Sequence, residues 1–453
     1  MTRKIFIILL VITALTGCAA VSEPIGAGIA ATKAAQPNRA DGLDEIVSAY
    51  LGLTLEAGTH EAEYVDAYYG PAEAKTAAET KPRSLAILQA DATALIAKLD
   101  QAEIAPEQRR RANALRGMIV AAETRLQMLQ GRKLSFADEA KGQFATIPVL
   151  KPLSDYDAVL ARLEALIPGA GPLAARVDAF NERFTIPKDR LQPVFDAAIS
   201  ECKRRTAANI VLPAGEAFTM EFVTGKTWSG YNYYLGNYKS LIQINTDLPI
   251  RISRAVDLGC HEGYPGHHVL NLMVESKLAR KNGWKEYEVN PLYSPTSVLS
   301  EGSANYGIDL AFPGPERLEF ERDVLYPLAG LDPKIAESYW QMQQATEGLS
   351  GARLTIAKMY LDGELTRAQA LALTQKYLLL SPARAEQSIA FTDHYRSYVI
   401  NYGWGKDLVR DFIERSASDG TNPDSKTRWT RMEKILSEPT LPNDLATWFV
   451  GME

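Results

Sequence analysis

The chain has 453 residues, 46% of them hydrophobic and 23% charged, with a net charge of −6, five histidines and three cysteines. That is an ordinary globular composition, for which length alone suggests two or three domains. The acidic balance argues against a nucleic-acid binder, and no repeat of roughly 20 to 50 residues is present.

Residues 1–17 read as a lipoprotein signal peptide. Arg3 and Lys4 give a positive start, and Ile5 to Leu15 form an apolar core too short to span a bilayer of about 30 Å as a helix. The ending Leu15-Thr16-Gly17-Cys18 matches a bacterial lipobox, which predicts cleavage before Cys18 and lipidation of that cysteine. An ordinary signal peptide is the alternative. Ala19 leans toward outer-membrane sorting, so the expected location is the cell envelope, lipid-anchored in the outer membrane and facing the periplasm. Residues 18–42, rich in Ala, Gly and Pro, read as a flexible tether. Residues 43–453 contain no Pro/Gly/Ser linker and read as one large helical body, with lobes around a cleft.

Helical periodicity dominates that body. Leu43, Ile46, Val47, Tyr50 and Leu51 mark one apolar stripe, and Leu85, Leu88, Leu95, Ile96 and Leu99 another. Helical patterning covers 108–129, 155–166 and 187–209, with Pro and Gly clusters at 147–153 and 168–172 as breaks. Arg109-Arg110-Arg111 reads as a solvated helix face. Period-two character is confined to about 217–247, where Phe218 to Val223, Tyr231 to Leu235 and Ser240 to Asn245 predict a small antiparallel sheet. It is either a plain structural hairpin or an edge that holds extended peptide by strand addition. Beyond 315 the pattern is helical again, most clearly over 335–361 and 366–379. The expected fold is mainly α, with a small antiparallel sheet next to a metal-binding helix.

The stretch Cys260-His261-Glu262-Gly263-Tyr264-Pro265-Gly266-His267-His268-Val269-Leu270 holds three of the five histidines. A His-Glu pair followed by another His suggests imidazole ligands to zinc, with the glutamate as general base. Position 265, where H-E-x-x-H would place its second ligand, is proline. On a regular helix, roughly 100° per residue puts His267 about 120° away from His261. His268 would share a face with His261, but about 10 Å further along the axis. Neither suits ligands about 2 Å from one ion. Pro265, flanked by Gly263 and Gly266, should kink or bulge the helix and return His267 to the ligand face. A Pro-Gly turn carrying surface histidines is the alternative.

His261-Glu262-Gly263-Tyr264-Pro265-Gly266-His267-His268 resembles the H-E-x-x-P-G-H-H signature of the bacterial domain of unknown function 885, a family similar to the gluzincin metallopeptidases. Glu301-Gly302-Ser303-Ala304-Asn305-Tyr306 resembles its E-G-x-A-x-Y block, and Ser240 to Asn245 its strand before the metal helix. The likeness is clear over about 225–310, within a metal core of about 217–310. It departs at Leu270 and Ser303, where Gln and Trp are common, and both positions bear on the substrate pocket.

The resemblance implies a zinc-dependent peptidase with one Zn²⁺ per chain. His261 and His267 or His268 would be ligands, His267 being preferred because related enzymes place Gly before the second ligand. Glu301 would be the third ligand, and Glu262 the base that activates water at the metal. His268 then falls to a supporting or substrate-facing position, and Asn305, one turn beyond Glu301, either orients a ligand or is an exposed helical Asn.

Peptide hydrolysis also needs a donor to the oxyanion. His394, Tyr398 and Tyr402 stand at helical spacing, and Tyr398 and His394 are the expected pair; otherwise these rings are core. Arg396 or Arg384 is expected to clamp a substrate carboxylate unless it is a surface pair. Cys202 and Cys260 either form a disulfide beside the metal site or stay as buried thiols. The expected partners are a peptide substrate and the membrane, through Cys18, with no nucleic acid. The competing function is a non-catalytic envelope lipoprotein that keeps the fold to bind a peptide or partner, against which stands the intact Glu262.

Overall fold

The apolar stripes become helices in the computed structural model, which describes residues 41 to 447 except 227 and 418. The signal peptide, Cys18 and the tether up to residue 40 lie outside the described residues. The first stripe is the buried face of the helix Asp41–His60, with Ile46, Val47 and Tyr50 almost wholly enclosed. The second lies on Leu85–Gln101, which starts where the Ser84 side chain accepts a hydrogen bond from the Ile87 amide. These helices share one hydrophobic core with the helix Arg109–Leu129. Among the described residues no helix is long and apolar enough to cross a membrane.

The molecule is mainly helical with two small sheets. β1 (Val65–Tyr68) pairs antiparallel with β5 (Val289–Pro291), and β2 (Ala217–Val223), β3 (Gly230–Gly236) and β4 (Lys239–Asn245) form a second sheet in the order β2-β4-β3. β3 and β4 are an antiparallel hairpin, closed by Asn237 and Tyr238 at φ 52° and 61°. β2 runs parallel to β4, which inserts between β2 and β3. β3 is therefore an edge strand. The β1–β5 pair escapes sequence reasoning because both strands are too short to show a period and join distant parts of the chain.

Two elements differ from the periodicity in ways that matter for the site. The stretch over 335–361 is two helices, Ala336–Glu347 and Ala352–Leu361, separated at Gly348 to Gly351. The C-terminal aromatic stretch is not one helix either. Pro382–Tyr395 ends at Arg396, whose φ of 53° turns the backbone, and a short turn Arg396–Val399 leads into Ile400–Ile413. The basic run also departs from a solvated face. Arg111 is buried and binds Glu286 through two bonds of 2.5 and 2.9 Å.

The helix Pro295–Ala311 joins the two largest cores, giving Val298 to one and Leu299 and Tyr306 to the other. It lies so close against Ile400–Ile413 that a Cβ on Gly302 would stand 2.4 Å from the Gly405 carbonyl oxygen. That contact sets Glu301 beside Tyr398 and Tyr402.

Candidate metal centre

The backbone around Pro265 solves the spacing problem. The helix Ser253–Leu258 widens into a turn over Gly259–Gly263, in which the Tyr264 amide bonds back to the Gly259 carbonyl. The Tyr264–Pro265 peptide is cis, and the Gly266 amide reaches the Cys260 carbonyl at 3.0 Å. The extra residues are absorbed there, and a new helix, His267–Met273, begins with its first imidazole facing His261. Gly266 is required because a Cβ would sit 1.8 Å from the His261 carbonyl oxygen. A disulfide between Cys202 and Cys260, with Cα atoms 5.5 Å apart, ties this turn to the helix Leu191–Ala207 and settles the cysteine alternative as a bridge.

His261 Nε2 and His267 Nε2 lie 3.3 and 3.6 Å from Glu301 Oε2, and one ligand atom from each residue falls within 4.8 Å of the others. Donors held about 2 Å from a tetrahedral ion are about 3.3 Å from one another, so this set has the right size for zinc. The surroundings agree. Glu301 Oε2 is buried without a hydrogen-bond partner, an orphaned acceptor aimed at two imidazole nitrogens. Its other oxygen accepts the Tyr398 hydroxyl at 2.9 Å, and Ser300 Oγ holds His267 Nδ1 at 3.0 Å, leaving Nε2 to face the site. Among the described residues three donors converge and no fourth joins them, which describes a site with an open position.

Without a metal a proton takes the cation's place. Burial works against a charged His267, but Glu301, with Glu262 and Asp66 beyond it, outweighs burial and raises its pKa to about 9. Burial likewise opposes ionisation of Glu301, yet the two imidazoles hold it far below the usual carboxylate range. A metal ion bound here would therefore have to expel the His267 proton. Apparent zinc affinity is expected to rise about tenfold per pH unit from pH 7 and to flatten above about pH 9, as chelator competition would measure.

Glu262 is buried, with Oε1 4.0 Å from His261 Nε2, and its backbone carbonyl accepts the Asn232 amide at 2.7 Å. It opens, with the three ligands, onto a cleft of about 940 Å³. The edge strand β3 lines this cleft with Tyr231 and Tyr233, and Trp228 just before it also lines the wall; the three rings adjoin in sequence at tilted angles. Arg353, Phe391 and Tyr402 line it from the C-terminal helices.

His268 turns away from the site. It is fully buried, with Ser240 Oγ 2.8 Å from Nδ1 and Glu216 Oε2 3.0 Å from Nε2. Glu216 also receives Tyr264 at 2.5 Å and pairs with Lys203 at 2.6 Å. Asn305 lines the cleft but donates to the Glu301 backbone carbonyl, not to its carboxylate. Two expectations fail because Arg396 turns the chain. His394 is exposed, bound to Glu63 at 2.9 Å and absent from the cleft wall, so it offers no oxyanion donor. Arg396 itself is taken by the buried Glu139 and clamps nothing in the cleft. Tyr398 is near the ligands, but its hydroxyl is committed to Glu301. The phenol left over is Tyr402, which faces the cleft with no hydrogen-bond partner among the described residues. Sequence reasoning missed Asp66, a cleft acid that accepts Tyr231 and Asn290, because β1 carries no motif.

No protein-family model matches the sequence, and no curated protein matches it significantly. Solved structures share the fold at low identity. A candidate lipoprotein from Colwellia psychrerythraea is 15% identical, with a TM-score of 0.50 over 91% of this chain and 76% of its own. An M32 carboxypeptidase from Deinococcus radiodurans R1 is 14% identical, over 89% of this chain and 94% of its own, with a TM-score of 0.39. The first shows the fold alone, and the second is too distant to bear on chemistry.

Proposed function

We propose that the chain is a zinc-dependent peptidase of the cell envelope, attached by lipid at Cys18. The observation that carries this reading is the buried Glu301 Oε2, which makes no hydrogen bond and faces two imidazole nitrogens, with Glu262 beside them at the floor of a cleft. His261, His267 and Glu301 would hold Zn²⁺, which when bound supplies a Lewis acid for water and for a carbonyl oxygen. Glu262 takes a proton from the attacking water and passes it to the leaving amine. Tyr398 keeps Glu301 in one orientation through its hydrogen bond. Tyr402 donates its free hydroxyl to the oxygen that becomes negative in the tetrahedral adduct. β3, the edge strand of its sheet along the cleft, lines up extended backbone by strand addition. The lipobox and the candidate lipoprotein of the same fold support attachment through Cys18.

The test is metal content together with turnover of a mixed peptide library. About one zinc per chain and cleavage that a chelator abolishes are expected. Tyr402→Phe should lower kcat by about 10²- to 10³-fold with zinc content unchanged, since one donor to the developing charge is lost. Zinc without cleavage of any peptide would leave a binding protein; no zinc would remove the enzyme reading altogether.

A further inference from the structure

The cations of the cleft wall differ in one respect. Arg254 and Arg317 pair with Asp257, Arg317 also with Glu321, and Lys406 with Asp309 and Glu347. Arg384 has no ion pair among the described residues, but it donates to the Pro249 carbonyl at 3.2 Å. Arg353 has no ion pair among the described residues, and its Nε is buried without a hydrogen-bond partner. Its guanidinium lies over Phe391, 5.3 Å from the ring centre. A guanidinium carries donors in a planar fork that fits a carboxylate through two parallel bonds. Arg353 as a whole is half-buried; taking part of a guanidinium out of water without an anion is costly, so an unpaired Arg with a buried Nε in a ligand cleft marks the place of an anion the protein does not itself supply. Burial indeed pushes the Arg353 pKa down, with only the Tyr402 phenol opposing it. Tyr402 lines the same cleft as Arg353, Glu262 and Glu301.

We propose that Arg353 anchors the free C-terminal carboxylate of a short peptide, making the cleft that of a carboxyl-end exopeptidase. Water adds across the last peptide bond, leaving a new carboxylate on the shortened peptide and releasing the terminal amino acid with its amine. For turnover this rests on the peptidase reading; for binding it does not. The assignment also replaces Arg396, whose partner Glu139 already occupies it.

The test uses the full chain in detergent, zinc-loaded, with calorimetric titration of N-acetyl-L-leucine and N-acetyl-L-leucinamide. The acid is expected to bind about 100-fold more tightly than the amide, a preference that Arg353→Gln reduces to near unity and Arg353→Lys only partly restores. N-acetyl dipeptides ending in acid or amide should show the same ratio in kcat/KM. Thermal melts separate recognition from folding, because Arg353→Gln removes an uncompensated, partly buried charge and should melt at or above the wild-type temperature. Equal affinity of wild type for acid and amide would overturn the anchor whatever the turnover. So would an acid preference that survives Arg353→Gln. Acid preference lost in the variant, with no peptide ever cleaved, would keep the anchor and overturn the peptidase reading.

Discussion

Glu262→Gln is expected to lower kcat by about 10³- to 10⁴-fold while the protein keeps its zinc, the size of effect that belongs to a general base. Gln has the same shape, and the bond from Asn232 goes to the Glu262 backbone, so the local packing survives the change. Glu262 stands outside the set of atoms that converge on the metal position. What the amide lacks is a site that takes a proton at neutral pH. Turnover and metal content, measured on one preparation, therefore separate base from ligand. Turnover within tenfold of wild type would exclude Glu262 as the base. Zinc lost together with activity would make it a ligand and leave the base unassigned.

The candidate ligand group His261, His267 and Glu301 was legible because two of its three members lie close together in the chain. Few residue types suit such a site, namely His, Cys and the acids, and the chain concentrates three of its five histidines within eight residues. Even the kink was readable, since Pro265 and Gly266 cannot continue a regular helix. The choice between His267 and His268 rested on likeness to other sequences; coordinates tie it instead to Gly266, whose missing Cβ lets the chain turn against the His261 carbonyl. The C-terminal side was legible only as composition. His394, Tyr398 and Tyr402 share a helical spacing, but one positive φ at Arg396 assigns them to different elements and different duties. Arg353 carried no sequence signal at all. A lone Arg in an amphipathic helix looks like any surface cation until the absence of a nearby carboxylate can be seen. The same holds for Glu216, which precedes β2 and meets His268 only through the fold.

His267→Ala should empty the metal site, whereas His268→Ala should keep about one zinc per chain and lose stability by about 3 kcal/mol. Both residues are imidazoles at the start of one helix, yet their surroundings assign opposite work. Burial keeps His268 neutral, lowering its pKa, while His268, Lys203 and Tyr264 overcome the burial of Glu216 and keep that carboxylate ionised. A neutral ring between an anion and a hydroxyl can donate only from Nε2, to Glu216, and must accept at Nδ1 from Ser240. Truncating it leaves a hydroxyl and part of a carboxylate without partners inside the protein, and opens a cavity beside Phe218 and Tyr264. The loss should appear in denaturant unfolding, with catalysis of the folded fraction little changed. His267 has less packing to lose, and its truncation removes one of three donors outright. Because a metal-free chain already pairs His267 with Glu301, His267→Ala should also leave Glu301 as a buried carboxylate facing one imidazole, His261, with the Tyr398 hydroxyl on its other oxygen. Metal analysis of the two variants beside wild type decides the matter: zinc lost from His268→Ala and kept in His267→Ala would reverse the assignment.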